Sequence, residues 1–393
     1  MRDVVILDGA RTAIGTFGGA LRSEPPTRLA AHVVRAALER AGVDGAEVGH
    51  VVMGHVINTE PRDMYLSRVA AIEAGVPEEA PCLTVNRLCG SGVQAIVSAA
   101  QHLMLGDADV AVAGGAEVMS RSPHAMQTAR WGQKMGEVAA ADMLTGALSD
   151  PFGAGHMGVT AENVAAEHGI AREAQDAFAL ESQRRAAAAV SEGRFREQIV
   201  PVDVRRGREP VPFDTDEHVK AGTTAEGLAA LAPVFRRGGT VTAGNASGIN
   251  DGAAAMVLCT AEAAERRGLR PRARVVGYAH AGVRPDVMGI GPVPAVRNLL
   301  ARTGLDLSQF DVIESNEAFA AQACAVSKEL GLDPERVNPN GGAIALGHPV
   351  GATGAIITVK CLAELERRGG RYGLVTMCIG GGQGIALAVE RLG

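Results

Sequence analysis

Residues 85–115 have the sequence VNRLCGSGVQAIVSAAQHLMLGDADVAVAGG, and this stretch decides the fold. A β-like run leads into Cys89, a helical run follows through Leu105, and an apolar strand at residues 110–113 ends at two glycines. A strand, a helix and a second strand in this order are typical of a βαβ unit, whose helix covers one face of a sheet.

The same plan returns near the other end of the chain, at residues 347–382, which have the sequence GHPVGATGAIITVKCLAELERRGGRYGLVTMCIGGG. There a glycine-rich turn holds His348, a helical run extends through Leu365, and a strand at residues 374–377 runs into glycines. His348 lies 259 residues after Cys89. The sequence therefore predicts that His348 has the place in the second unit that Cys89 has in the first.

Another pair of segments repeats at nearly the same separation. A helix that ends near Arg40 is followed by Gly42 and an apolar strand, and a helix that ends near Arg302 is followed by Gly304 and an apolar strand. Gly304 lies 262 residues after Gly42. Two units thus recur in the same order and at nearly the same separation. This repeat predicts an α/β fold of two similar βαβ-rich halves, with sheets covered by helices.

The segment between the repeats has a different character. Residues 121–240 contain the only Trp and a long helical run, and we interpret them as an insertion into the first half. The predicted division is an N-terminal half of residues 1–120 together with 241–270, a loop domain at 121–240 and a C-terminal half at 271–393.

Composition argues against several classes of protein. The formal net charge of −6 gives no sign of a nucleic-acid-binding surface, and no apolar run reaches the length of a membrane span. None of the six cysteines stands in a CxxC pair, so the sequence predicts neither a zinc site nor a disulfide oxidoreductase. The apolar start is too short for a signal peptide, and we expect a cytoplasmic protein with free thiols.

Cys89 is the first candidate for chemistry. It stands where a strand turns into a helix, and the helix start directs unpaired N–H groups and a partial positive charge at the thiol. This setting predicts a lowered pKa and a nucleophilic thiolate. A buried cysteine at a tight turn explains the same residues equally well.

Three further residues are candidates on weaker grounds. A histidine in a glycine-rich loop is more often a structural hydrogen-bonder, but the repeat places His348 beside Cys89, which favours an activated thiol. Cys378 follows a buried strand and suits either a site or the core. Asn316 is most simply the N-cap of the next helix, although its amide also suits holding a water or a carbonyl. The glycine-rich segments only weakly resemble a phosphate-binding loop.

The sequence closely resembles the thiolases. The matching blocks are NRLCGSG at 86–92, NEAFA at 316–320, GHPVGATG at 347–354 and CIGGGQG at 378–384, with further likeness at 10–19, 155–165 and 242–255. Within that family the chain is most similar to bacterial acetyl-CoA acetyltransferases and β-ketothiolases that supply polyhydroxyalkanoate precursors.

The resemblance implies a fold and an activity. The fold is a five-layer α-β-α-β-α stack with a loop domain that takes part in CoA binding and oligomerisation, usually in homotetramers. The activity is a reversible ping-pong condensation of two acyl-CoA molecules to a 3-ketoacyl-CoA, with no cofactor and no metal. The expected partners are acyl-CoA and CoA, with neither nucleic acid nor membrane.

The resemblance also implies residue roles. Cys89 would take the acyl group and His348 would activate it, while Cys378 would move the α-proton and protonate the leaving group. Asn316 with His348 would serve one oxyanion, and the N–H groups of Cys89 and Gly380 would serve another.

The implied CoA and substrate contacts are Leu148, His156, Met157, Phe235, Ala243, Ser247, Ala318 and Phe319. Lys220 stands where relatives often carry an arginine near the CoA phosphate, and lysine supplies charge without a bidentate fork. Acyl chain length is expected to depend on the loops around Met157 and Met288.

Three alternatives remain open at this stage. A broader-chain 3-ketoacyl-CoA thiolase of fatty-acid degradation would carry the same blocks. A cysteine hydrolase of thioesters would use Cys89 and His348 but has no role for Cys378. A silent acyl-CoA-binding scaffold would have little reason to contain all four of the residues Cys89, Asn316, His348 and Cys378.

Overall fold

A computed structural model of the chain describes residues 2–206 and 209–393. Met1 and residues 207 and 208, which fall within the predicted domain ranges, lie outside the described residues. The strands, numbered in chain order, are β1 (Val4–Arg11), β2 (Gly15–Thr16), β3 (His50–Gly54), β4 (Cys82–Val85), β5 (Val110–Val118), β6 (His124–Ala125), β7 (Ala141–Asp142), β8 (Ser149–Asp150), β9 (Gly155–His156), β10 (Val202–Arg206), β11 (Glu209–Phe213), β12 (Asn250–Thr260), β13 (Ala273–Gly282), β14 (Phe310–Ser315), β15 (Tyr372–Ile379) and β16 (Gln383–Arg391).

The helices complete the element order. The α-helices are α1 (Pro26–Ala41), α2 (Leu66–Glu73), α3 (Ser91–Leu105), α4 (Met143–Ala147), α5 (Met157–His168), α6 (Arg172–Ser191), α7 (Ala225–Ala229), α8 (Ala261–Arg267), α9 (Pro292–Thr303), α10 (Ala320–Leu330), α11 (Ala343–Leu346) and α12 (Thr353–Arg368). Short 3₁₀ helices span Gly45–Glu47, Pro61–Tyr65, Met119–Arg121, Pro285–Ile290 and Leu307–Gln309.

The main sheet consists of two similar half-sheets that join along one edge. Neighbouring strands follow the order β4-β3-β5-β12-β1 in the first half and β13-β16-β15-β14 in the second. β3 is parallel to β4 and β5, and β14 is parallel to β15, as right-handed βαβ crossovers produce. The halves meet where Val5 pairs with Arg274 and Ile6 with Ala273.

Five layers result from the way the helices cover the half-sheets. α1 packs on β1 and β12, with α2 beside it, and α9 packs on β13 and β16. α3 and α12 contact each other and strands of both half-sheets, so they form the middle layer. Every residue of β5 and β12 is buried, because these strands are covered on both faces.

The repeat extends to fine details of the backbone. A capping box closes a 3₁₀ turn at Asp44 and again at Asp306, 262 residues later. The strand pair β1–β12 changes register between Ile6 and Asp8, and the equivalent pair β13–β16 changes register between Val275 and Gly277. These matching irregularities confirm the two similar halves that the sequence predicts.

One detail of the predicted repeat is wrong. α3 begins at Ser91 and α12 begins at Thr353, again 262 residues apart. At that separation the position equivalent to Cys89 is Gly351, and His348 lies three residues before it. His348 lies between α11 and α12, and it lines the same cavity as Cys89 although the two positions are not equivalent.

A large insertion distinguishes the first half from the second. β5 and β12 are antiparallel neighbours with residues 119–249 between them, whereas β15 and β16 are joined by residues 380–382. The insertion includes α5, α6 and several short strand pairs. The three-part division of the chain stays a prediction, and this connection is the observation that favours it.

Glycines allow the two middle helices to meet at their N-terminal ends. A Cβ atom at Gly92 would lie 2.4 Å from the backbone nitrogen of Ala355, and one at Gly354 would lie 2.3 Å from that of Val93. Both distances are far below van der Waals contact, and the obstructing atoms are backbone atoms. The first turns of α3 and α12 therefore pack backbone to backbone.

We expect Gly92→Ala to destabilise the protein, because the added methyl group must separate α3 from α12. Overpacking of this kind typically costs about 1–3 kcal/mol. Urea unfolding measures the free energy of unfolding. Gly146→Ala is the matched control, because Gly146 lies in helix α4 with nothing within 4 Å of an added Cβ. Equal stability of the two variants would contradict the proposed role of this contact.

Candidate active site

A mainly apolar cavity of about 260 Å³ lies where the two halves meet. Cys89, His348 and Gly380 line it, together with Leu148, His156, Met157, Phe235, Ser247, Met288, Ala318 and Phe319 from the predicted CoA and substrate set. Val56, Leu88, Met119, Ala147, Ala246, Gly248, Ile249 and Val350 complete the lining.

Two predicted contact residues lie elsewhere. Ala243 and Lys220 line a separate cavity of about 240 Å³, in which His218, Thr223 and Thr224 supply polar groups. The structure therefore does not bring these two residues to the cavity that contains Cys89.

Cys89 sits on a tight turn immediately before α3. Leu88 has a φ of +45°, a left-handed conformation that non-glycine residues rarely adopt. The hydroxyl of Ser91 supports the turn, donating to the Leu88 carbonyl at 2.6 Å and accepting from the Arg87 N–H at 2.9 Å. Backbone strain of this kind is typical of functional sites, where surrounding contacts hold it in place.

The predicted lowering of the Cys89 pKa is wrong. Burial raises the pKa of the thiol to about 11, although N–H groups of Gly380 and Cys89 act in the opposite direction. The negative charge of Glu117 also raises this pKa. Desolvation penalises the thiolate more than the helix start and these N–H groups favour it. The substrate-free site therefore holds a protonated thiol.

His348 is buried and held in one orientation. Its Nδ1 lies 2.7 Å from the Thr353 hydroxyl, which donates its own proton to the Pro349 carbonyl at 2.9 Å. The Thr353 oxygen must therefore accept a hydrogen bond from Nδ1–H of His348, so Nε2 retains its lone pair. Burial lowers the pKa of the imidazole to about 4. At neutral pH His348 is an uncharged base whose Nε2 can accept a proton.

Asn316 lies between β14 and α10, and the expectation that it is an N-cap is wrong because Phe319 holds that position. Its side-chain nitrogen lies 3.5 Å from Nε2 of His348, and its Oδ1 is buried without a hydrogen-bond partner among the described residues. Asn338 fixes the preceding backbone by bonding both N–H and C=O of Ser315. The Asn316 amide thus has bonding capacity left for a further polar group.

Cys378 is fully buried near the end of β15 and does not line the cavity surface. Burial raises the pKa of its thiol above the ordinary range, and the nearby Cys89 adds to this effect. Gly380 is close to the same point, where a Cβ would lie 2.8 Å from the Met157 side chain. The absence of a side chain at Gly380 leaves its N–H close to the Cys89 thiol.

Glu117 is a residue of this site that the sequence analysis missed. Its buried carboxylate accepts N–H bonds from Val56 at 3.0 Å, Ile57 at 3.1 Å and Gly351 at 2.9 Å. It therefore ties the first half to the loop that follows His348. Burial raises the pKa of this carboxyl, whereas His55 and the three N–H donors favour its ionised form. The sequence feature that could have pointed to Glu117 is that it is the single acidic residue in the otherwise apolar strand β5.

The part of the chain that the structure describes lacks two kinds of feature. No helix there is long and apolar enough to cross a membrane. No group of three or more His, Cys, Asp or Glu side chains is arranged there to hold a metal ion.

Comparison with known proteins identifies the class to which this fold and site belong. Residues 4–262 match the family model for the thiolase N-terminal domain, and residues 269–391 match that for the thiolase C-terminal domain. The chain belongs to the thiolase family, as its sequence blocks predict.

Individual relatives are similar along their whole length. β-Ketothiolase BktB of Cupriavidus necator is 64% identical over 393 residues, which cover 100% of both chains. The crystal structure of the acetyl-CoA acetyltransferase of Bacillus anthracis has a TM-score of 0.98 at 48% identity, with 100% of this chain and 99% of that one covered. Human mitochondrial 3-ketoacyl-CoA thiolase in complex with CoA has a TM-score of 0.97 at 43% identity, covering 100% and 98%. The predicted thiolase fold is confirmed.

The state of the Cys89 thiol leads to a testable pH dependence. Because the pKa is about 11, the rate of alkylation by iodoacetamide should rise about tenfold per pH unit between pH 7 and 9 without a plateau. Glu117→Gln should shift this profile to lower pH, because it removes a negative charge that raises the pKa. Cys89→Ala identifies the signal of the other five thiols. A plateau below pH 8.5 would instead support the lowered pKa expected from sequence.

Proposed function

We propose that this chain is an acetyl-CoA C-acetyltransferase, which forms and cleaves 3-ketoacyl-CoA by transfer through an acyl-cysteine. The observation that carries the proposal is the meeting of the Cys89 thiol and the neutral imidazole of His348 at one apolar cavity, with the buried thiol of Cys378 close enough for Cys89 to raise its pKa. The names of the similar proteins favour the same reaction.

In the first half-reaction the Cys89 sulfur attacks the thioester carbonyl while its proton passes to Nε2 of His348. The N–H groups of Cys89 and Gly380 stabilise the oxyanion, and one such donor is typically worth about 3–4 kcal/mol. The departing CoA thiolate takes the proton of Cys378 and leaves as CoA. The products are acyl-Cys89, an imidazolium and a Cys378 thiolate.

In the second half-reaction the Cys378 thiolate removes an α-proton from the second acyl-CoA. Asn316 and His348 stabilise the enolate oxygen. The enolate carbon attacks the acyl-Cys89 carbonyl, and the Cys89 thiolate that leaves recovers its proton from His348. All three groups return to their starting states.

The cysteine hydrolase is weaker than this proposal, whereas the broader-chain thiolase stays an alternative. The effect of Cys89 on the pKa of Cys378 supports a shared role for the two thiols, which a hydrolase does not need. A broader-chain 3-ketoacyl-CoA thiolase uses the same chemistry and differs in the space available for the acyl group.

CoA is proposed to extend from the catalytic cavity to the polar cavity that contains Lys220 and Ala243. The chain itself carries the proposed chemistry, with no cofactor beyond the CoA thioesters. Lys220 is exposed and supplies a charge to a phosphate, without the bidentate geometry of arginine. The six free cysteines suit the cytoplasm, whose reducing conditions keep thiols reduced.

The function is tested by CoA-dependent cleavage of acetoacetyl-CoA and by the variant Cys378→Ala. The wild-type protein should cleave acetoacetyl-CoA. The variant should lose α-proton exchange on acetyl-CoA by at least about 10²-fold, because general-base catalysis typically contributes this much. Mass spectrometry should still detect acetylation of Cys89 in this variant. Full exchange in the variant would place the base elsewhere, and an inactive wild-type protein would contradict the proposed activity.

A homotetramer is the proposed assembly. The segment 126–138 in the insertion exposes large apolar side chains, with Trp131 and Met135 each 88% exposed. Large exposed apolar side chains grouped in one segment suit a contact between subunits.

We expect Trp131→Glu to convert a tetramer into smaller species, because a charge would be buried at the contact between subunits. Analytical ultracentrifugation measures the mass. Leu392→Glu, a change at an exposed residue near the C-terminus, is the control and should leave the mass unchanged. An unchanged tetramer in both variants would exclude this segment from the interface.

A further inference from the structure

The two thiols of the site contact different apolar clusters. Cys89, Val56 and Ile249 pack against a small cluster that includes Met119 and Val350, and we name Val56, Met119, Ile249 and Val350 the acyl cluster. Cys378 belongs to another, which we name the enolate cluster, formed with Met157, Met288, Ala318 and Phe319. Members of both clusters line the same cavity.

The chemistry places different parts of the product at the two thiols. The alkyl chain of the acyl group on Cys89 becomes the part of the product beyond its keto carbon. The α-carbon that gives its proton to Cys378 becomes C2 of the product, and any substituent on it becomes a branch. Chain length and branching are therefore determined at different sulfur atoms.

We propose that the acyl cluster sets the length of the acyl group that Cys89 accepts, and that the enolate cluster sets the substituent tolerated at C2. This inference rests on the proposed function and differs from the expectation that Met157 and Met288 govern chain length.

The walls of the acyl cluster are rigid at the backbone. The N–H of Val56 donates to Glu117, and so does the N–H of Gly351, which follows Val350. Ile249 forms a backbone bridge with His348. Because these backbone positions are fixed, the space beside Cys89 depends on side-chain size. Met119 is 1% exposed and is the longest of the four side chains, so its truncation lengthens the space beside Cys89.

The test compares two truncations of the same kind, one in each cluster. Met119→Ala should raise the ratio of kcat/KM for 3-ketohexanoyl-CoA over acetoacetyl-CoA by at least about tenfold, because one methylene in an apolar pocket already changes specificity by this factor. Met288→Ala is the matched control. It should leave that ratio unchanged and should raise the relative cleavage of 2-methylacetoacetyl-CoA.

The results distinguish the proposed roles of the two clusters from the alternatives. An unchanged chain-length ratio in Met119→Ala, or a rise of that ratio in Met288→Ala, would overturn the assignment of the clusters. Should Met119→Ala fail to fold, Val350→Leu gives the opposite test, since added volume must lower the ratio, and an unchanged ratio would overturn the proposal. Failure of the wild-type protein to cleave acetoacetyl-CoA would contradict the proposed function instead.

Discussion

The contact between the first turns of α3 and α12 is the constraint on which the site depends. Gly92 and Gly354 permit two backbones to touch where a methyl group on either would be obstructed by backbone atoms. Glu117 adds a second connection, because its carboxylate holds Gly351 of one half against the loop after β3 of the other. Cys89 and His348 lie on opposite sides of this junction, so its geometry determines whether they can exchange a proton.

Burial dominates the electrostatics at that junction. It raises the pKa of Cys89 to about 11 and lowers that of His348 to about 4, so both groups are uncharged before substrate arrives. Formation of an ion pair must then be coupled to attack on a thioester, whose oxyanion meets N–H groups already in place. A site of this kind keeps its thiol weakly reactive towards other electrophiles in the resting enzyme.

Sequence reasoning succeeded where a pattern spans many residues and failed where the outcome depends on tertiary environment. The repeat, the βαβ units and the family blocks predicted the fold and about half of the residues that line the cavity. The prediction of a lowered Cys89 pKa was wrong because desolvation in the folded protein exceeds the local effect of the helix start. Glu117 was missed because its partners, Val56 and Gly351, come from both halves. The separate cavity of Lys220 likewise depends on folding of the insertion.

The two halves share a backbone plan but supply different chemistry from equivalent positions. Asn316 lies 262 residues after Gly54, and Cys378 lies 262 residues after Ala116. A side chain at Gly54 would lie 2.7 Å from the Gly351 carbonyl, so the first half must leave this position empty for the loop of the second to dock. The first half thus provides the nucleophile and the room around it, whereas the second provides His348, Asn316 and Cys378. Because each half lacks what the other provides, proton transfer between Cys89 and His348 requires the two halves to associate.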